Sequence, residues 1–232
     1  MVKPGFVSLI FLLASVFLVD NEKIIPNKES CHNNNTIYID SVHVMPSLSP
    51  AKCLDISTVN IKSERLKKFK ILINTLIAND IGLTKFPARF LKNFPNLKHI
   101  NMSMNKLSFL PGDLDQYVPN LKLINLTGNK LKVAKRRPLT KSKSLEVLIL
   151  SKNKLRKLNS QLFNGLPSLR VLYLDGNFLT SLKVHPFRKL HHLEVLHLGG
   201  NQLESIPIRA LNKVSERIRV IYKNNSKNLH LH

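Results

Sequence analysis

An apolar residue returns every 24 positions along most of this chain, and the phase does not slip. With offsets counted from Leu145, offset 1 carries Ile73, Leu97, Leu121, Leu145, Leu169 and Leu193. Offset 4 carries Leu76, Ile100, Ile124, Leu148, Leu172 and Leu196, and offset 6 carries Ala78, Met102, Leu126, Leu150, Leu174 and Leu198. Offset 11 carries Leu83, Leu107, Leu131, Leu155, Leu179 and Leu203. A fixed period of this size marks a solenoid. Offsets 4 and 6 alternate with polar or variable neighbours, which predicts one short strand per coil. The inward residues of a single coil cannot be buried alone, so the coils must stack.

Offset 9 departs from the apolar pattern. After Ile81 it reads Asn105, Asn129, Asn153, Asn177 and Asn201. There the backbone leaves the strand, and a buried backbone group without a partner costs about 1–3 kcal/mol. An amide both donates and accepts. These asparagines therefore read as a structural ladder between coils.

Together these positions spell L-x-x-L-x-L-x-x-N-x-L, the leucine-rich repeat signature. Residues 73–216 resemble extracellular leucine-rich repeats and are similar to those of toll-like receptor ectodomains and small leucine-rich proteoglycans. The resemblance implies an α/β fold: a solenoid with a curved parallel sheet on its concave face and short helical, 3-10 or irregular segments on its convex side. It also implies that the concave face binds. Two features depart from the family pattern: two cysteines stand where four are usual in the N-terminal cap, and no cysteine-rich C-terminal cap follows.

The organisation follows from the phase. Residues 1–19 read as a secretory signal, with Lys3 ahead of an apolar run of 14 residues from Phe6 to Val19. That run is short of the roughly 20 residues a membrane span needs; an uncleaved anchor is the alternative. Residues 20–72 read as an N-terminal cap with a degenerate first repeat, in which Leu54, Ile56, Val59 and Ile61 match Leu76, Ala78, Ile81 and Leu83. "CHNNNTIYIDSVHV" offers a strand or a hairpin. Residues 73–216 are six repeats, coils 1 to 6, and 217–232 a degenerate last repeat with a frayed tail. Cys31 and Cys53 are expected to pair in an oxidising compartment, adding about 3 kcal/mol; two buried free thiols are the alternative. On the convex side Leu114, Phe163, Phe187 and Leu211 should point inward, with Phe94, Val118, Leu166, Leu190 and Val214. Coil 3 has Ala134 and Ser142 where leucine is expected, which predicts a loose convex side.

Three surfaces compete for function. On the concave face, offsets 3 and 5 of coils 4 to 6 place Val147, Ile149, Val171, Tyr173, Val195 and His197 side by side, with Asp175 at the edge. An exposed apolar patch around an aromatic predicts a protein interface, with Tyr173 as anchor. Glycosylation sequons stand at Asn34, Asn101, Asn125 and Asn224. Asn101 and Asn125 share offset 5, so glycans there would project from coils 2 and 3 and confine a partner to coils 4 to 6. The third surface is basic. Lysine and arginine number 36 against 14 acids, a net charge of +22. Lys130, Lys132, Lys135, Arg136, Arg137, Lys154, Arg156 and Lys157 crowd one stretch, and the period stacks them into a flank suited to sulfated glycan or another anionic polymer. Nucleic acid suits it less, because no aromatics interleave. No motif for catalysis, metal or cofactor binding is present, which predicts a binding module rather than an enzyme; a soluble receptor-like decoy or a secreted effector is the further alternative.

Overall fold

The computed structural model describes residues 36–38, 53–55, 73–133, 137–226 and 229–231. The proposed signal segment, Cys31, Asn34, Ala134, Lys135 and Arg136 lie outside the described residues. Cys53 is described only as strand backbone, so the expected disulfide also lies outside them.

Each coil contributes one three-residue strand. These are β1 (Thr36–Tyr38), β2 (Cys53–Asp55), β3 (Thr75–Ile77), β4 (His99–Asn101), β5 (Leu123–Asn125), β6 (Val147–Ile149), β7 (Val171–Tyr173) and β8 (Val195–His197). After a short strand β9 (Ser205–Ile206), β10 (Arg219–Ile221) closes a nine-stranded parallel sheet of order β1 to β8, then β10. Its register follows the period: Leu76 pairs with Ile100, Ile124 with Leu148, and Leu172 with Leu196. Leu54 pairs with Leu76, so the degenerate coil joins the same sheet. β1 pairs parallel to β2, which makes Thr36–Tyr38 a strand of the solenoid sheet.

The core is one column of stacked layers. The residues at offsets 1, 4 and 6 of all six coils are buried, as is offset 11 of coils 2 to 6. On the convex side Phe94, Phe163 and Phe187 are the largest fully buried side chains. The rings of Phe163 and Phe187 stack at 5.8 Å and 21°. Short helical turns carry such residues inward: α1 (Ala88–Leu91), a 3-10 turn at His185–Phe187 and α2 (Ile208–Asn212). A proline begins each, at Pro87, Pro186 and Pro207, where a missing N–H costs nothing.

Two expectations are corrected. The tail is not simply frayed: β11 (His230–Leu231) pairs parallel with β9. Ser205–Ile206 would otherwise offer unpaired edge groups. Nor are residues 139–142 of coil 3 loose. Leu139 N–H donates to Leu162 O at 2.8 Å, Lys141 N–H to Gly112 O at 3.0 Å, and Ser142 N–H to Gly165 O at 2.9 Å. Gly165 allows this approach; a Cβ there would meet Thr140 O at 2.5 Å.

Packing the segment so tightly has a cost. Thr140 and Ser142 are fully buried, and neither hydroxyl has a partner among the described residues. Thr140→Val combined with Ser142→Ala should raise the unfolding free energy by about 1–3 kcal/mol. Urea denaturation measures it; a loss of stability would show that the hydroxyls are satisfied.

Candidate binding surfaces

The asparagine column sets where the surfaces lie. Asn153 Oδ1 accepts from Leu131 N–H at 3.0 Å, one coil back. Its Nδ2 donates to Leu126 O at 2.9 Å and to Leu150 O at 3.1 Å. Asn105, Asn129, Asn177 and Asn201 repeat this pattern, and Asn225 extends it into a seventh coil. Just before each amide the backbone turns through a left-handed residue. The φ angles are +57° at Met104, +68° at Gly128, +52° at Lys152, +63° at Gly176, +59° at Gly200 and +60° at Asn224; Asp80, ahead of Ile81 in coil 1, has the same turn at +54°. With turn and ladder locked, offsets 3 and 5 lie on the concave sheet and offsets 10 and 12 on one flank.

On the concave sheet the expected residues do come together. Ile149, Val171, Tyr173 and Val195 form an apolar cluster separate from the main core, with Val147 and Ile221 packed against it. Their exposure is smaller than strand alternation predicts. Ile149 is 2% exposed, Val171 1%, and Tyr173 and Val195 6% each. β-branched side chains on adjacent strands cover one another. The His197 ring stacks on Tyr173 at 4.1 Å and 19°. Tyr173 is therefore a covered centre and not a projecting anchor. What remains accessible is half-buried Val147, His197 and Ile221, with Asp175, Lys152 and Arg219 at the margin. Asp175 Oδ1 accepts from Ser151 Oγ at 2.7 Å.

Burial disfavours the charged forms of the two titratable groups at the centre of this face. Desolvation holds the His197 pKa below the usual 6.5; Asp175 opposes this and Arg219 adds to it. Desolvation also raises the Tyr173 hydroxyl above 10, with Asp175 pushing the same way and Arg219 the other. His99, at offset 3 of coil 2, is lowered by burial and then by Lys98.

The two sequons on this face have no projecting amide. Asn101 and Asn125 are 5% and 2% exposed. Asn125 Nδ2, the atom a glycan would occupy, donates to Asn101 Oδ1 at 3.2 Å. Asn125 Oδ1 accepts from Thr127 N–H at 3.0 Å and Thr127 Oγ1 at 2.7 Å. In this geometry the Asn125 amide is turned along the sheet and does not point out from it. Asn224, in contrast, is exposed on its turn.

The flank keeps its charge in solvent. Lys130, Lys132, Arg137, Lys154, Arg156 and Lys157 are all exposed. Lys132, Lys154, Arg156 and Lys157 line one open groove of about 690 Å³ together with Val133 and Phe178. Ion pairs among the described residues lie elsewhere, at offset 2, where Lys122 meets Glu146 and Arg170 meets Glu194 at 2.6 Å each. Phe178 escaped the sequence reading. It occupies offset 10 of coil 5, the column that holds Lys106, Lys130 and Lys154 in coils 2 to 4. It is 43% exposed, and the Arg156 guanidinium carbon lies 5.7 Å from its ring centre. Reading down that column would have found it.

This architecture defines a class: a parallel-sheet solenoid whose coils are joined by an asparagine ladder. The chain has the leucine-rich repeat solenoid fold. A family model described as leucine rich repeat matches residues 119–179 and 167–215. Among solved structures, a chain of the mouse RP105/MD-1 complex is 26% identical with a TM-score of 0.65, over 77% of this chain and 32% of that one. A chain of the TLR13–ssRNA13 complex shares the fold at 23% identity and a TM-score of 0.64, over 77% of this chain and 27% of that one. A leucine-rich repeat protein of Leptospira interrogans is 26% identical with a TM-score of 0.53, over 75% and 49%. The chain thus spans about a third or less of the first two. No curated protein sequence matches it. Among the described residues, no helix is long and apolar enough to cross a membrane, and no cluster of side chains could hold a metal.

Proposed function

We propose that this chain is a secreted, non-catalytic binding module that recognises a protein partner on the concave face of coils 4 to 6. One observation carries the reading: an apolar cluster outside the main core, at the centre of that face, with charged residues only at its margin. The main core does not contain these residues, and the cluster presents an accessible rim of Val147, His197 and Ile221 that suits protein contact. The RP105 chain, 26% identical, stands in a complex with another protein, MD-1. Secretion rests on the basic and apolar start of the sequence. Contact is made by Val147, His197 and Ile221 rather than by Tyr173 itself.

The test is a screen against an array of extracellular proteins, followed by affinity measurement on the hit. Val147→Glu with Ile221→Glu places charge at both ends of the strip. The expected result is an affinity loss of at least about tenfold, the scale of a hot-spot residue. Arg188→Glu on the exposed convex side should leave affinity unchanged. Equal affinity of wild type and the double variant would overturn the concave reading.

A further inference from the structure

We propose that the groove between coils 3 and 5 is a separate site for a linear sulfated glycan, with Phe178 as the platform for one sugar ring. It lies on the flank and is independent of the concave face.

The groove combines two chemistries. Lys132, Lys154, Arg156 and Lys157 bring four cations onto two neighbouring coils, and none forms an ion pair with a described residue. Lys132 and Arg156 share offset 12, so they stand one above the other. Coils repeat at about 4.8 Å along the sheet. Like charges held this close in solvent repel one another, and an anionic ligand relieves that repulsion. Backbone bonds hold the columns in place: Lys130 N–H donates to Leu107 O at 2.9 Å, and Phe178 N–H to Leu155 O at 2.9 Å. The cations are thus carried on a rigid frame.

The second chemistry is apolar. Phe178 and Val133 line the same groove, and Phe178 is one of four large apolar residues left exposed among the described residues. The aliphatic C–H face of a pyranose packs against such a ring, while its sulfate and carboxylate groups meet the cations. Arg156, beside the ring, can take an oxyanion with two parallel N–H donors. Phe109, 58% exposed, sits at the offset of Val133 one coil earlier, which prolongs the apolar edge.

The arrangement favours glycan over single-stranded nucleic acid. Successive bases need successive stacking rings. Here Phe109 and Phe178 are three coils apart, about 14 Å at the strand spacing, with cations between them. Lysine and arginine also donate only. They suit sulfate and carboxylate, which only accept, and cannot satisfy the donor groups of bases.

The experiment is titration calorimetry of the full chain with a heparin hexasaccharide, its fully desulfated counterpart and a single-stranded oligonucleotide of equal charge. Four proteins are compared: wild type, Lys132→Glu with Arg156→Glu, Phe178→Ala, and Arg188→Glu with Lys189→Glu as a charge-matched convex control. All the substituted residues are exposed, and equal thermal melting verifies that each variant folds. The expected result is binding of the sulfated hexasaccharide, weakened at least about tenfold by the flank double variant. Phe178→Ala should weaken it by about threefold to tenfold, and the control should change it less than twofold. Equal losses in flank and control variants would overturn the site, leaving only diffuse charge. An unaltered Phe178→Ala titration would overturn the platform, and tighter binding of the oligonucleotide would overturn the ligand class. The concave variant of the preceding section should bind the hexasaccharide normally, so failure of one site is distinguishable from failure of the other.

Discussion

Asn153→Ala should destabilise the solenoid by about 2–6 kcal/mol, measured by urea denaturation. The estimate comes from counting what each backbone group loses. Leu131 N–H donates to Asn153 Oδ1 at 3.0 Å and would be left buried and unsatisfied. That alone costs about 1–3 kcal/mol. The carbonyls lose less, because each is shared. Leu126 O keeps its bond from Asn129, and Leu150 O keeps its bond from Asn177. Each lost bond to such a carbonyl costs about 0.5–1.5 kcal/mol. Asn153→Asp should be at least as damaging: it still accepts from Leu131 but sets a carboxylate oxygen against the carbonyls of Leu126, Leu150 and Ser151. An alanine variant within about 0.5 kcal/mol of wild type would mean that the ladder is dispensable.

Phe163→Ala should cost about 3–5 kcal/mol, the range for removing a fully buried aromatic. Phe163 is 0% exposed on the convex side of coil 4 and stacks on Phe187 of coil 5. Truncation opens a cavity between two coils. The neighbours can collapse only partly, because the backbone bonds of residues 139–142 to coils 2 and 4 hold the frame. In a solenoid each coil contacts only its neighbours. The damage should therefore concentrate at the junction of coils 4 and 5. Hydrogen exchange is the check. Faster exchange at Leu172 and Leu174 than at Ile100 is the expected pattern; a uniform increase would show that the chain unfolds as a single unit.

How much of this was legible beforehand differs between the two faces of one strand. The period alone assigns Leu148, Leu172 and Leu196 to the core, and the sheet pairs them one coil apart. The same period places Tyr173 and His197, one position away, on the exposed side, yet they stack on each other at 4.1 Å. Periodicity states which side of a strand a residue is on. It does not state how much of that side its neighbours cover. The sequon at Asn125 shows the same limit, since the sequence marks the acceptor but not the bonds to Asn101 and Thr127 that turn it aside.

The repeat length, the parallel strand order, the inward columns and the asparagine positions follow from the chain's own pattern, because a period of 24 admits only one stacking of its apolar residues. Folding in three dimensions decided the rest. It covered the concave apolar strip, tied the tail strand β11 to β9, left the Thr140 and Ser142 hydroxyls without partners among the described residues, and brought Phe178 beside Arg156. Each of these depends on contact between coils, and exposure is a property of neighbouring coils together rather than of any residue in one.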